Sequence, residues 1–457
     1  MVVTFTPRCY GHPVRLRDVR RRLPVLNEPL PPGKTRKVLP LGEGEAPRPS
    51  HAVWEFTLAC DQRCLCCGPR AGVARANELT TEECLQLVDE LAELGVGEVT
   101  LIGGEAYLRP DFLLVIRAIR ERGMTSTLTT GGYGMTRERA EAMVLAGVQS
   151  VSVSIDGLEA HHDRLRGREG SWQRALLALR LLREAGSKIS VNTQINLLTW
   201  QDLPELLERI AIEGIHAWQV QVTVAHGGAA DHHELLLQPY MYLELFPILE
   251  RIADRCDALG ITITPANSLG YFGPYDYKLR RRQSRQGHYL GCQAGIAGVA
   301  IESDGAIKNC PSLGGRNNIG GSWREHGLRA IWERAPELAY MRKRTEKELW
   351  GYCAECYYAP MCKGGCTSVS EPLLGRPGNN PMCHHRALEM DRMGLRERIE
   401  WVRPSAGEPF DNSLFRVIRE HTDPALRATH GPVHVDEPRS ARADEPFGPG
   451  TPVDLST

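Results

Sequence analysis

Two hydrophobic periods alternate along this chain. Short stretches of period two at Ala52–Leu58, Glu98–Ile102, Thr125–Thr130, Ser150–Ile155, Lys188–Asn196 and Ala217–Val224 predict strands, and helical spacing fills the gaps between them. The helix after Thr80 opens on a Thr80–Glu83 capping box, carries the stripe Leu87, Val88, Leu91 and Leu94, and stops at Gly95. Asp111–Arg122 repeats the logic with Phe112, Val115, Ile116 and Ile119. Further helices are predicted at Arg137–Ala146, Trp172–Ala185, Asp202–Glu213 and Tyr240–Leu259. Strands each followed by a helix imply a parallel sheet with right-handed crossovers.

A parallel strand covered by helices should be apolar on both faces, and several of these are not. Ser150, Ser152, Ser154 and Asp156 share one face of the fourth strand, Asn192, Gln194 and Asn196 one face of the fifth, and Gln219, Gln221 and Thr223 one face of the sixth. A solvated antiparallel sheet would also show this, but the helical connections oppose it. The better reading is an α/β fold, a partial (β/α)6 TIM-type barrel whose lumen is polar because a polar ligand sits inside. A closed barrel would fill that space with branched apolar side chains.

Beyond the barrel, Ile261–Pro265 is one more strand-like stretch. A loop rich in aromatic and basic residues follows: Tyr271, Phe272, Tyr275, Tyr277, Lys278, Arg280, Arg281, Arg282 and Arg285. It would either hold a peptide at the barrel mouth or serve as a plain linker. Asp304-Gly305 marks a hairpin turn within 301–307. Residues 1–50, rich in Arg and Pro, read as an irregular leader. Residues 396–457 are expected to be a mostly disordered tail.

Of 457 residues, 42% are hydrophobic and 24% charged, so the chain can bury a sizeable core. A net charge of -1 supplies no pull toward nucleic acid or an anionic membrane. No apolar run reaches the length of a membrane span, and Arg15, Arg17, Asp18 and Arg20 stand where a signal peptide would be apolar. A cytoplasmic location is expected. There, clustered cysteines point to metal ligands rather than disulfides. Of the fourteen present, Cys9, Cys84 and Cys256 stand alone and read as inert thiols.

Cys60, Cys64 and Cys67 follow the first strand at spacing C-x3-C-x2-C. Three thiolates on one loop can hold three irons of a cubane and leave the fourth open to substrate. A structural zinc site would need a fourth ligand close by, and none is evident. The spacing and its place resemble the radical SAM superfamily. Gly103-Gly104-Glu105 at the end of the second strand is similar to the family's GGE motif, which the resemblance assigns to the methionine amino group of S-adenosylmethionine (SAM). Thr129-Thr130-Gly131-Gly132 ends the third strand where the family often has TTNG. Ser154-Ile-Asp156-Gly157 ends the fourth strand and resembles the SxDG motif near the SAM ribose and carboxylate, and the family-like run His162–Gly167 offers Arg166 as a carboxylate clamp. Asn192 and Gln194 complete the candidate SAM contacts. Two positions depart from the pattern: Cys66 replaces the usual aromatic residue before the third cysteine, and Ala106 replaces Pro after GGE.

The later cysteines run Cys292-x12-Gly305-x4-Cys310, a gap, then Cys353-x2-Cys356-x5-Cys362-x3-Cys366-x16-Cys383. A zinc ribbon would use four and leave three idle. The pattern resembles the SPASM domain, a small cysteine-rich extension of radical SAM enzymes that houses two auxiliary [4Fe–4S] clusters. Carried over, Cys353, Cys356, Cys362 and Cys383 hold one cluster. Cys292, Cys310 and Cys366 hold the other, whose fourth position is open, taken by substrate, or supplied by Cys256 or another residue. The organisation expected is a leader to residue 50, a barrel over 51–285, a SPASM domain over 286–395 and the tail.

The resemblance implies reductive cleavage of SAM to a 5′-deoxyadenosyl radical that abstracts a hydrogen atom, most often to crosslink or oxidise a peptide. Maturation of a small cofactor such as a tetrapyrrole is the alternative, and a non-enzymatic iron–sulfur electron carrier a third, disfavoured by the SAM-site motifs. Sulfatase maturases usually carry an acid after the second auxiliary cysteine; here it is Pro311. Expected partners are a peptide substrate, a reductant such as flavodoxin or ferredoxin, and a separate peptide-recognition protein, since the leader is short for a winged recognition domain.

Overall fold

The periodic segments become strands with little displacement. β1 (His51–Thr57), β2 (Glu98–Gly103), β3 (Thr125–Thr130), β4 (Val148–Ser154), β5 (Lys188–Ile195) and β6 (Ala217–Val222) pair in chain order, all parallel, and β7 (Thr262–Pro265) extends the series. The computed structural model describes residues 47–283, 287–315 and 317–438. The expectations for residues 1–46 with Cys9, for Arg285 and for residues 439–457 lie outside these.

The helices pack as their stripes dictate. α1 (Thr81–Glu93) has the Thr80–Glu83 capping box in full, satisfying two backbone donors at its start, and buries Leu87, Val88 and Leu91. α2 (Phe112–Glu121), α3 (Arg137–Ala146), α4 (Glu159–Arg166), α5 (Ser171–Glu184) and α6 (Leu203–Ala211) follow, with the long helix Tyr242–Ala258 before β7. Under them Val151, Val153, Val191 and Val220 are fully buried. On the other face, register carries Ser154, Asn192, Gln219 and Thr264 into one lateral row and Thr129, Ser152 and Ser190 into the next. All of these are half-buried. This is the polar inner wall of a partial barrel.

Three expectations need correction. The sheet does not stop at residue 285: β8 (Gly298–Ile301) pairs parallel with β1. The Asp304-Gly305 turn then sends the chain into antiparallel β9 (Ala306–Lys308), and β10 (Ile319–Ser322) closes the ten-stranded order β10-β9-β8-β1-β2-β3-β4-β5-β6-β7. The tail, where described, is ordered as β11 (Leu395–Arg403), β12 (Leu414–His421) and β13 (His434–Asp436), an antiparallel sheet. Its signal was hidden because β11 buries a charge: Glu397 faces inward and accepts from Arg386 at 2.9 Å and Arg419 at 2.8 Å. Finally, the aromatic–basic loop is consumed internally. Tyr271 and Phe272 are buried, Arg280 pairs with Asp276 at 2.9 Å, Arg282 with Asp257 at 2.6 Å, and Lys278 with Asp254 at 2.6 Å. The linker reading holds, and the peptide-holding surface does not.

Candidate active site

The first cysteine loop leaves β1 and is gripped from two sides. Leu65 N–H donates to Leu165 O at 2.8 Å and Arg63 N–H to Arg166 O at 3.2 Å, so the end of α4 carries the loop. Gly167 permits this: its φ is +61°, and a Cβ there would lie 2.3 Å from Arg63 O. Each predicted ligand sulfur accepts one N–H. Gln62 N donates to Cys60 at 3.5 Å, Arg166 Nη1 to Cys64 at 3.7 Å, and Ala71 N to Cys67 at 3.3 Å. Burial pushes the Cys60 thiol up to about 12 and that of Cys67 to about 11. Ionising them therefore calls for a metal as partner, and the donors are of the kind that stabilise metal-bound thiolate. Cys66 accepts no such donor and packs into the apolar core. Its burial holds the thiol well above its usual range.

The SAM-site candidates gather around this loop. Gly104 N–H donates to Thr57 O and Glu105 N–H to Ala59 O, each at 2.7 Å, locking the ends of β1 and β2 together. A Cβ on Gly103 would sit 2.2 Å from Thr57 O, and one on Gly104 2.2 Å from Ala59 O. These glycines are demanded by the close approach of the two strand ends. Glu105 is buried. It accepts from Thr130 Oγ1 at 2.6 Å and Gly131 N at 2.9 Å, yet burial still pushes its carboxyl up to about 8. A buried acid so placed gains most from a cation. Asp156 accepts from Arg166 Nη2 at 2.5 Å and from Gln194 N at 2.7 Å, and Ser154 sits beside Asn192 in register. Arg166 is thus spent on Asp156 and Cys64, and only its buried Nε lacks a partner. That leaves one donor, not a free fork, for a ligand carboxylate.

Sequence reasoning noted His162 within its motif but missed Ser171 and Gln62, which with it bind this cradle together. Asp156 N–H donates to His162 Nδ1 at 3.1 Å, which leaves Nε2–H facing Ser171 Oγ at 3.2 Å, and Gln62 Nε2 donates to the same hydroxyl at 2.5 Å. Burial keeps His162 neutral. Asp61 was missed too. One of its oxygens accepts from Tyr107 OH at 2.9 Å, while the other is buried without a partner. Neither carries a pattern in sequence beyond its neighbour cysteines.

The later cysteines gather in two places. A small pocket is lined by Cys353, Cys356, Cys362 and Cys383 together with Tyr352 and Phe272. Burial, then the charges of Cys383, Cys353 and Cys356, hold the Cys362 thiol well above its usual range. Separately, burial and the charges of Cys292 and Cys366 raise Cys310. The crossover lies between Cys362 and Cys366, where Gly364 at φ +75° and Gly365 at φ +68° turn the chain so that neighbouring cysteines face different sets. Cys256 does not join the second set. It is buried on the helix Tyr242–Ala258, where the charges acting on it are Asp257, Arg282 and Glu208. Among the described residues no three of His, Cys, Asp or Glu close on a point where a single ion would sit.

This architecture is that of an enzyme that aligns SAM against a cysteine-held cluster at the mouth of a partial barrel. Residues 54–210 match the radical SAM superfamily domain. That family works with a [4Fe–4S] cluster and SAM. The chain is 29% identical to an AdoMet-dependent heme synthase of Methanosarcina barkeri over 331 residues, 69% of this chain and 90% of that one. It is 28% identical to the PqqA peptide cyclase of Ruegeria pomeroyi over 368 residues, 77% and 94% of the two. The crystal structure of Streptococcus suis SuiB bound to S-adenosylmethionine superposes with a TM-score of 0.57 at 18% identity, covering 74% of this chain and 76% of that one. Among the described residues no helix is long and apolar enough to cross a membrane.

Proposed function

We propose that this enzyme modifies a peptide, forming a crosslink or oxidising a side chain, with one SAM-cleaving cluster on Cys60, Cys64 and Cys67 and two auxiliary clusters on the later cysteines. The observation that carries the auxiliary reading is the sorting of seven cysteines into two sets, with all four of the first around one cavity. When bound, the catalytic cluster and SAM supply a 5′-deoxyadenosyl radical that removes a hydrogen atom from substrate. The chain's own residues do the rest. Glu105 offers a buried carboxylate to the SAM ammonium. Arg166 ties Cys64 to Asp156, and the His162–Ser171–Gln62 chain fixes the loop against the SAM cradle.

The inner wall favours a peptide. Outside the candidate SAM contacts, Ser152, Gln219 and Gln221 are neutral donors and acceptors suited to amide groups, whereas the carboxylates of a tetrapyrrole call for basic partners. The identity to a heme synthase keeps tetrapyrrole maturation as the second reading. Reductant and a separate recognition protein remain part of the proposal, flavodoxin or ferredoxin serving as the first.

Anaerobically reconstituted enzyme should hold about twelve irons as three cubanes. Incubated with SAM and dithionite, it should release 5′-deoxyadenosine in step with loss of hydrogen from a short peptide encoded beside its gene. Turnover of iron-coproporphyrin and none of the peptide would overturn the peptide reading.

A further inference from the structure

Four cationic side chains are buried in the described residues: Arg280, Lys308, Arg344 and Arg386. Three have a carboxylate within salt-bridge reach, since Arg280 pairs with Asp276 at 2.9 Å, Lys308 with Glu302 at 2.8 Å and Arg386 with Glu397 at 2.5 Å. Arg344 is the exception. It is 1% exposed, and among the described residues no carboxylate lies within 4 Å of it. Its Nη1 donates to Thr367 Oγ1 at 3.1 Å and leans on Met341 Sδ at 3.8 Å, and its guanidinium carbon lies 5.5 Å from the centre of the Tyr340 ring, while Nε and Nη2 are buried with no hydrogen-bond partner. A buried guanidinium with two idle donors and no counter-anion is costly, and proteins seldom keep one without an anion to face.

Its surroundings identify the anion. Thr367 follows Cys366 directly, and Nη2 lies 3.0 Å from where a Cβ on Gly364 would stand. Arg344 therefore rests against the crossover that separates Cys362 of one cysteine set from Cys366 of the other. Its charge lies within electrostatic reach of Cys292 and Cys366 in one set and of Cys353 in the other. The two acids that feel its charge do not meet it: Glu371 accepts from Asn318 Nδ2 at 3.0 Å, and Glu348 accepts from Thr345 N at 2.8 Å.

We infer that Arg344 is the shared counter-cation of the two auxiliary clusters, its unpaired N–H groups serving cluster sulfur, and that it sets how readily those clusters accept an electron. The inference rests on the reading that the seven later cysteines hold clusters. Taking up one electron makes a cluster one unit more negative. A fixed buried cation favours that state, and hydrogen bonds to sulfur act in the same sense. Arg344 is a positioning and tuning residue and has no contact with substrate to make.

The test is a potentiometric titration of the fully reconstituted enzyme followed by electron paramagnetic resonance. The catalytic cluster's signal is recognised by its change on adding SAM. Arg344→Gln removes the charge and keeps a donor; Arg344→Lys keeps the charge. We expect the glutamine variant to reduce at least one auxiliary cluster about tenfold less favourably, a fall of about 59 mV for one electron, and the lysine variant to stay close to wild type. A glutamine variant that cannot be loaded with auxiliary iron, beside a lysine variant that can, also supports the charge requirement. Unchanged potentials in a loaded glutamine variant, or failure of both variants to load, would make Arg344 merely structural. Wild-type enzyme holding only the catalytic cluster's iron would instead refute the auxiliary-cluster reading itself.

Discussion

With Glu105 as the proposed partner of the SAM ammonium, SAM binding should depend on pH in a direction fixed by its burial. The carboxyl is 1% exposed and pushed up to about 8, because lost hydration outweighs the bonds from Thr130 and Gly131. At pH 7 only about one carboxyl in ten is ionised in SAM-free enzyme, so an ammonium must meet a cost of roughly 1.4 kcal/mol to find the anion. Affinity should therefore rise about tenfold per pH unit from 6 toward 8. It should fall again as the ligand's own amino group, ordinarily near 7.7–8.0, deprotonates. The linkage sign agrees. A folded-state pKa raised above the unfolded one gives stability that is full at low pH and lost as pH rises through about 8. SAM-free enzyme should accordingly melt earlier at pH 9 than at pH 7, and SAM should restore it. Glu105→Gln keeps an acceptor for Thr130 but no charge. It should weaken SAM at pH 8 by roughly 1.5–3 kcal/mol, the worth of a charged hydrogen bond, keep its iron, and lose the acid limb. Anaerobic calorimetry between pH 6 and 9 reads all of this. A flat wild-type profile, or an acid limb that survives in the glutamine variant, would refute the assignment of Glu105 as the ammonium's partner.

Two further outcomes follow from the geometry. Gly104→Ala would force a methyl to within 2.2 Å of Ala59 O, one residue before Cys60; overpacking of this kind costs about 1–3 kcal/mol. Iron counting should find the catalytic cluster depleted and the later sites filled, and full iron with wild-type SAM cleavage would show that the strand ends can part freely. Cys356→Ala should leave reductive SAM cleavage measurable while product formation collapses, because the electron left on substrate loses its acceptor; a folded variant lacking one cluster yet making full product would reduce that cluster to a structural role.

What could be read from the chain followed from how local the signal was. The capping box at Thr80, the stripes of α1 and α2 and the alternation in β4 and β5 are neighbour effects, and their element boundaries fell within a residue or two. The grouping proposed for the later cysteines came from the family resemblance, while the left-handed turn at Gly364 and Gly365 between Cys362 and Cys366 could not be read along the chain. Glycines 103 and 104 were found through their motif, while their contact with Thr57 and Ala59 is invisible along the chain. Strand β11 was missed because a buried Glu397 between Arg386 and Arg419 is apolar in effect and charged in letter. Arg344 gave no signal at all.

The C-terminal sheet also alters how the catalytic loop is held. The segment between β11 and β12 returns to the cysteine loop: Phe410 N–H donates to Gly68 O at 2.9 Å, and Gly227 N–H donates to Asp411 O at 2.8 Å. Arg70, three residues after Cys67, binds Asp411 at 2.9 Å and Ser405 at 3.0 Å. Phe410 reaches this seat with φ at +56°, a conformation that costs a non-glycine residue about 1–2 kcal/mol. Its ring is buried against His226, with Lys308 Nζ 3.7 Å above it. Burying a Phe side chain is worth about 1.5–3 kcal/mol, enough to hold the strained backbone with the two hydrogen bonds added. The cysteine loop is thus fixed on one side by α4 through Leu65 and Arg63, and on the other by residues more than three hundred positions later in the chain. Rigidity on both sides is what hydrogen abstraction asks of such a loop, since a displacement of about 1 Å at a reacting centre can cost about a hundredfold in rate.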